Sequence, residues 1–130
     1  MKYREAVLQA IKEIKDEVLP ELPFKAFEVI NRSSSERALG FYRHRSCFSI
    51  PIIKLNRRII EEAEKEFDNL NLYDIILTTI LHELAHACQQ LHGQLFDEDE
   101  AEDFAYFYWT SGQINKFWER RKANGQMVIS

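Results

Sequence analysis

Residues 80–93 read ILHELAHACQQLHG and hold three of the four histidines in the chain of 130 residues. His82-Glu83-Leu84-Ala85-His86 is an HExxH motif. On a helix, residues i and i+4 lie about 40° apart and one turn from each other, so both imidazoles share a face. Two such nitrogens can bind one zinc ion. Glu83 points to the side of that face, where its carboxylate can reach a zinc-bound water rather than the metal. The motif's neighbours Ile80, Leu81, Leu84, Ala85 and Ala87 carry no charge. The opposite face, Leu77, Ile80, Leu84, Ala87 and Leu91, is a stripe expected to bury the helix in the core. A buried histidine pair needs a partner, and a metal supplies one.

The spacing leaves two candidates for a third protein ligand. His92 fits the longer HExxHxxxxxH spacing seen in the metzincins. That arrangement requires a helix-breaking glycine where this chain has Gln89. With the helix continued, His92 is rotated about 80° away from His82. The second candidate lies in EDEAEDFA (98–105), where Glu98 shares a helical face with Ala101, Glu102 and Ala105. The two alanines allow close approach to the HExxH helix. Acids fill six of the seven positions from Asp97 to Asp103, and a helix start favours them through its dipole. A cation facing one of them relieves the crowding, and Glu102, one turn later, is placed to hydrogen-bond a ligand histidine.

The rest of the chain supplies a frame. Tyr3, Val7, Ala10, Ile11, Ile14 and Val18 recur at helical spacing, predicting a helix over 1–18 ended by Pro20 and Pro23. FKAFEVIN (24–31), ALGFYR (38–43) and SCFSIPIIKLN (46–56) read as strands, the last two joined tightly around His44. Pro51 lacks an N–H, so the third strand is expected at an edge or bulged. Ile59, Ile60, Ala63 and Phe67 stripe a helix over 57–68. Asn71 with Asp74 caps the start of the HExxH helix, and Gly93 stops it. Helices over 97–109 and 113–124 follow, the latter ended by Gly125 before the tail QMVIS.

The expected architecture is therefore a single α+β domain spanning 1–130: an N-terminal helix, a small three-stranded sheet, the HExxH helix, the glutamate helix and a C-terminal helix. The formal net charge of −4 disfavours nucleic acid as the main partner. Cys47 and Cys88 form no CxxC pair, and no apolar run is long enough for a signal peptide or a membrane span. Those features predict a cytoplasmic protein with reduced thiols. Cys88 is expected to be a small buried residue rather than a ligand.

HELAH, a short connection and then EDEAEDFA together resemble the gluzincin pattern of zinc metallopeptidases. Over about residues 75–109 the chain is similar to the catalytic cores of CAAX-type membrane metallopeptidases, to the soluble minigluzincins and to repressor-cleaving regulatory peptidases. The short connection favours the minimal soluble forms. The resemblance implies a zincin-like fold and zinc ligands at His82, His86 and Glu98. It implies a general base at Glu83, and a carboxylate supporting a ligand histidine at Glu102. The expected activity is hydrolysis of peptide bonds through a zinc-bound water activated by Glu83.

Tyr106, Tyr108, His44 and Arg45 are candidate oxyanion stabilisers, unranked by the sequence. The tyrosines have a packing role as the plainer reading. A peptide or protein substrate is expected to add as a strand along CFSIPII (47–53). That edge and the QMVIS tail are also candidate surfaces for self-association. Two other functions fit the composition: a catalytically weak zinc-scaffold module for regulation or binding, and a nucleic-acid-associated factor. The second of these would use Arg43, Arg45, Arg57, Arg58 and the basic KFWERRK segment (116–122).

Overall fold

The computed structural model describes residues 2–33, 35–43, 50–66 and 71–111, with backbone alone at 43 and 107–111. The connection 44–49, Phe67, the predicted 113–124 helix with its basic segment, and the QMVIS tail lie outside the described residues. Within them the chain is α+β, with four α-helices and a small mixed sheet. None of these helices is long and apolar enough to cross a membrane.

Helix α1 (Tyr3–Glu13) buries Tyr3, Ala6, Val7 and Ala10. The predicted continuation to residue 18 is helical but not α. A π turn covers Ile14–Val18, closed by Leu19 N–H on the Ile14 carbonyl, and a short 3₁₀ turn covers Leu19–Glu21. Pro20 is the cause. In an α-helix its ring collides with the carbonyl four residues back, and widening the preceding turn relieves that collision while Ile14 and Val18 stay buried.

The sheet holds β1 (Glu28–Asn31), β2 (Gly40–Arg43) and β3 (Ile52–Leu55) in the order β1-β3-β2. β1 runs parallel and β2 antiparallel to β3. The expectation that Pro51 puts the third strand at an edge or bulges it is corrected: β3 is central and keeps an unbroken register from Ile52 to Leu55. Pro51 stands just before its first residue, where no ladder N–H is required, and its carbonyl accepts Glu28 N–H at 2.9 Å. β3 alternates as the pleat dictates, with Ile53 and Leu55 fully buried. Both of its edges are paired, so residues 52 and 53 offer no edge to a substrate strand; β1 and β2 are the outer strands.

Helix α2 (Arg57–Glu66) follows and packs on α3. Before it, Asn56 is fully buried and clamps the loop leading into β2. Its N–H donates to the Leu39 carbonyl, and its amide Nδ2 donates to the carbonyls of Glu36 and Ala38.

Helix α3 (Leu72–Leu91) is the spine of the molecule, packed by α1, α2, α4 and two strands. The Asn71 side chain accepts Asp74 N–H at 2.8 Å, the capped start expected from the sequence. At the other end Gly93 takes φ +68°. Gln94 N–H returns to the Gln89 carbonyl and Gly93 N–H to that of Gln90, a Schellman close. The expected apolar stripe is buried at Leu77, Ile80, Leu84 and Ala87, but Leu91, in the last turn, is 45% exposed. Helix α4 (Glu98–Ser111) starts where Asp97 Oδ1 accepts Glu100 N–H. It packs against α3 through the buried Ala101, Phe104 and Ala105.

Candidate metal centre and cleft

His82 and His86 project from one face of α3 with ring centroids 4.8 Å apart, as their i, i+4 spacing requires. Their Nε2 atoms are 3.1 Å apart. Glu98, at the first position of α4, reaches both. Its Oε2 lies 2.8 Å from His82 Nε2 and its Oε1 lies 3.0 Å from His86 Nε2. The small side chains Ala101 and Ala105 let α4 come this close.

The other ring nitrogens face outward from this cluster. Glu102 Oε1 stands 2.7 Å from His82 Nδ1. The approach is off the N–H direction, so the contact is one of charge rather than an aligned hydrogen bond. His86 Nδ1 lies 2.8 Å from Gln89 Oε1, and on its face the ring stacks on Phe96 at 4.6 Å between centroids.

Glu83 is nearly buried, with Oε2 3.9 Å from His82 Nε2. Its donor atom, with those of His82 and His86, falls within a 4.8 Å cluster able to hold a metal ion. Two carboxylates thus stand beside the histidine pair. Glu98 is the nearer to His82 Nε2 by over an ångström and bridges both rings. Burial pushes the Glu83 carboxyl up to about 8, with the negative charges of Glu98 and Glu102 adding to the effect. A cation among these groups opposes that shift.

His92 is in another place altogether. It caps α3 with its N–H on the Cys88 carbonyl, and its Nε2 is buried without a hydrogen-bond partner. Gln89 lets the helix run on to this point, so His92 stays on its own side. Cys88 is fully buried, as expected, and burial raises its thiol to about 12.

The histidines open into a cleft of about 660 Å³. Thr78 and Thr79 of α3 continue its floor, β2 forms one wall, and Ala105 and Tyr106 of α4 the other. Gly40 brings β2 onto α3: a Cβ there would meet Thr79 Cγ2 at 2.7 Å and the Lys54 carbonyl at 3.1 Å. Tyr106, one of the expected oxyanion candidates, lines the cleft and is 62% exposed. His44, Arg45 and the side chains of Arg43 and Tyr108 lie outside the described residues.

Sequence reasoning missed Gln89, Phe96 and Gly40 as parts of this site. Only Gln89 left a signal, as a polar side chain one turn beyond His86 on a helix of buried residues. Comparison with known proteins finds no matching family model, curated protein or solved structure.

Proposed function

We propose that the chain is a zinc-dependent metallopeptidase of the gluzincin type on a zincin-like fold, with His82, His86 and Glu98 as the metal ligands. One observation carries the reading. With neutral rings protonated on Nδ1, the state favoured by Gln89 Oε1 beside His86 and the Glu102 carboxylate beside His82, both Nε2 lone pairs converge with the Glu98 carboxylate. In that state four acceptor atoms meet without a donor, and a cation held among them would satisfy all four. The 2.8–3.1 Å contacts put these atoms close enough together for His82, His86 and Glu98 to hold one ion.

Zinc held there supplies a Lewis acid that lowers the pKa of water toward neutrality and polarises a peptide carbonyl. Glu83 stands beside the ligands without the short contacts Glu98 makes, and takes the proton of the attacking water on its carboxylate. The same carboxyl then delivers that proton to the leaving nitrogen. Glu102 holds the His82 ring in place, and Tyr106 is the described side chain best placed at the cleft to meet a developing oxyanion. The outer strand β2 lines the cleft, so its edge, rather than residues 47–53, receives an extended peptide substrate. The nucleic-acid reading gains no support from Arg57 and Arg58, which pair with Glu61 and Glu62.

The test is zinc stoichiometry by atomic absorption, together with cleavage of a broad peptide library. Expected are one zinc per chain and cleavage that a chelator abolishes and added zinc restores. A chain that holds zinc and cleaves nothing in the library favours the scaffold reading. A chain that holds no zinc overturns the proposal.

A further inference from the structure

Gln89 is fully buried, and its amide is bonded on three sides. Asp97, just ahead of α4, presents both halves of its backbone to it. Asp97 N–H donates to Gln89 Oε1 at 3.2 Å, and Gln89 Nε2 donates to the Asp97 carbonyl at 3.1 Å. A backbone N–H can only donate and a carbonyl can only accept, so this pair fixes which end of the amide is oxygen. Glu100 Oε1, 3.3 Å from Nε2, agrees with that orientation. The oxygen is the atom 2.8 Å from His86 Nδ1. His86 therefore donates from Nδ1, and in the neutral ring Nε2 is then unprotonated and aimed at His82 and Glu98.

We propose that Gln89 is a positioning residue that locks His86 in its Nδ1–H tautomer and, through Asp97, ties that ring to the first turn of α4, which carries Glu98. One amide thus sets two ligands from two helices. The role rests on the zinc reading; the lock itself does not. No isosteric replacement keeps both halves. Methionine fills the volume but neither accepts nor donates there. Glutamate still accepts from His86 and from Asp97 N–H, but it loses the bond to the Asp97 carbonyl and faces Glu100.

Long-range ¹H–¹⁵N spectra of the metal-free full chain, recorded above the imidazole titration range, report which nitrogen of His86 bears hydrogen. Wild type and Gln89→Glu should show Nδ1–H, whereas Gln89→Met should lose that fixed assignment. Zinc affinity, measured by competition with a chelator, should fall about 10–100-fold in Gln89→Met, the usual cost of losing a partner behind a ligand. The fall should be smaller in Gln89→Glu. Thermal melting separates these effects from misfolding, and if Gln89→Met does not fold, wild type and Gln89→Glu decide. A wild-type His86 protonated on Nε2 overturns the lock, as does Gln89→Met with tautomer and affinity unchanged. A wild type that shows Nδ1–H but binds no zinc overturns the proposed function and leaves the lock standing.

Discussion

Glu98 Oε2 lies 2.8 Å from His82 Nε2, across sixteen residues of sequence and from a different helix. The Schellman close at Gly93 makes this reach short. It ends α3 one turn past His86 and turns the chain back, so that α4 begins within contact of the histidine face. A carboxylate that is 71% exposed gains little from a histidine alone. The proposed cation would account for its place against both Nε2 atoms.

Removing that carboxylate should therefore remove the metal. Glu98→Ala is expected to weaken zinc binding by more than the roughly 10–100-fold typical of a supporting residue, and Glu102→Gln by about that range. His92→Ala should leave zinc binding unchanged, because His92 caps the helix and points into a different environment. Metal content after dialysis checks all three. Zinc lost with His92 and kept without Glu98 would reverse the ligand assignment.

Gly40 should be intolerant of a side chain. The Cβ of alanine would sit 2.7 Å from Thr79 Cγ2 and 3.1 Å from the Lys54 carbonyl, so β2 must shift off α3. Overpacking of this kind typically costs about 1–3 kcal/mol. The shift also widens the cleft wall beside Glu83, so substrate affinity should fall while zinc content holds. Thr79→Ser deletes the offending methyl and keeps the hydroxyl that donates to the Ile75 carbonyl. The double variant should recover part of the lost stability, the Lys54 carbonyl contact remaining. Additive losses in the melting temperatures of the single and double variants would argue against the clash.

These relationships were unequally legible. The ends of α3 were written locally, in Asn71 with Asp74 and in Gly93, and a cap is satisfied by residues a few positions away. The Glu98 face was legible because Ala101, Glu102 and Ala105 repeat at helical spacing. Strand order was not. Pro51 signals only a missing N–H, and whether a strand is central depends on β1, which pairs with β3 from twenty-odd residues upstream. Gln89 registered in the sequence as the absence of a glycine; its positive role needs Asp97 folded back onto it. Phe96 lies in a connection with no period, so its stacking on His86 left no pattern to find.

Alkaline stability should depend on Tyr3. Its hydroxyl donates to Asn31 Oδ1 at 2.6 Å, and Arg57 covers its ring at 4.6 Å. Burial raises the phenol from 10.0 to about 12, although the Arg57 charge pulls the other way. The folded state thus holds this proton more tightly than the unfolded state does. The contribution is complete below pH 10 and is lost as pH rises through about 12. Tyr3→Phe should cost about 1 kcal/mol at neutral pH, for the lost hydrogen bond, and should flatten the alkaline limb of stability. Denaturant titrations across that range test it, and an unchanged alkaline limb in Tyr3→Phe would count against the assignment.

Glu83 separates an enzyme from a zinc scaffold. It lies beside the ligands, 3.9 Å from His82 Nε2, and it lines the cleft. Were its function only to hold shape, Glu83→Gln would change nothing that the protein does, since the amide keeps the size and the hydrogen-bonding reach. As the proton acceptor, Glu83 cannot be replaced by an amide. General-base steps are worth about 10²–10⁴-fold in rate, so peptide cleavage should fall by that factor. Zinc content should hold, because His82, His86 and Glu98 are untouched. Stability of the metal-free chain should rise or stay level, because the variant removes a buried carboxyl that is crowded by Glu98 and Glu102. Equal cleavage by wild type and Glu83→Gln at equal zinc content would remove Glu83 from the mechanism.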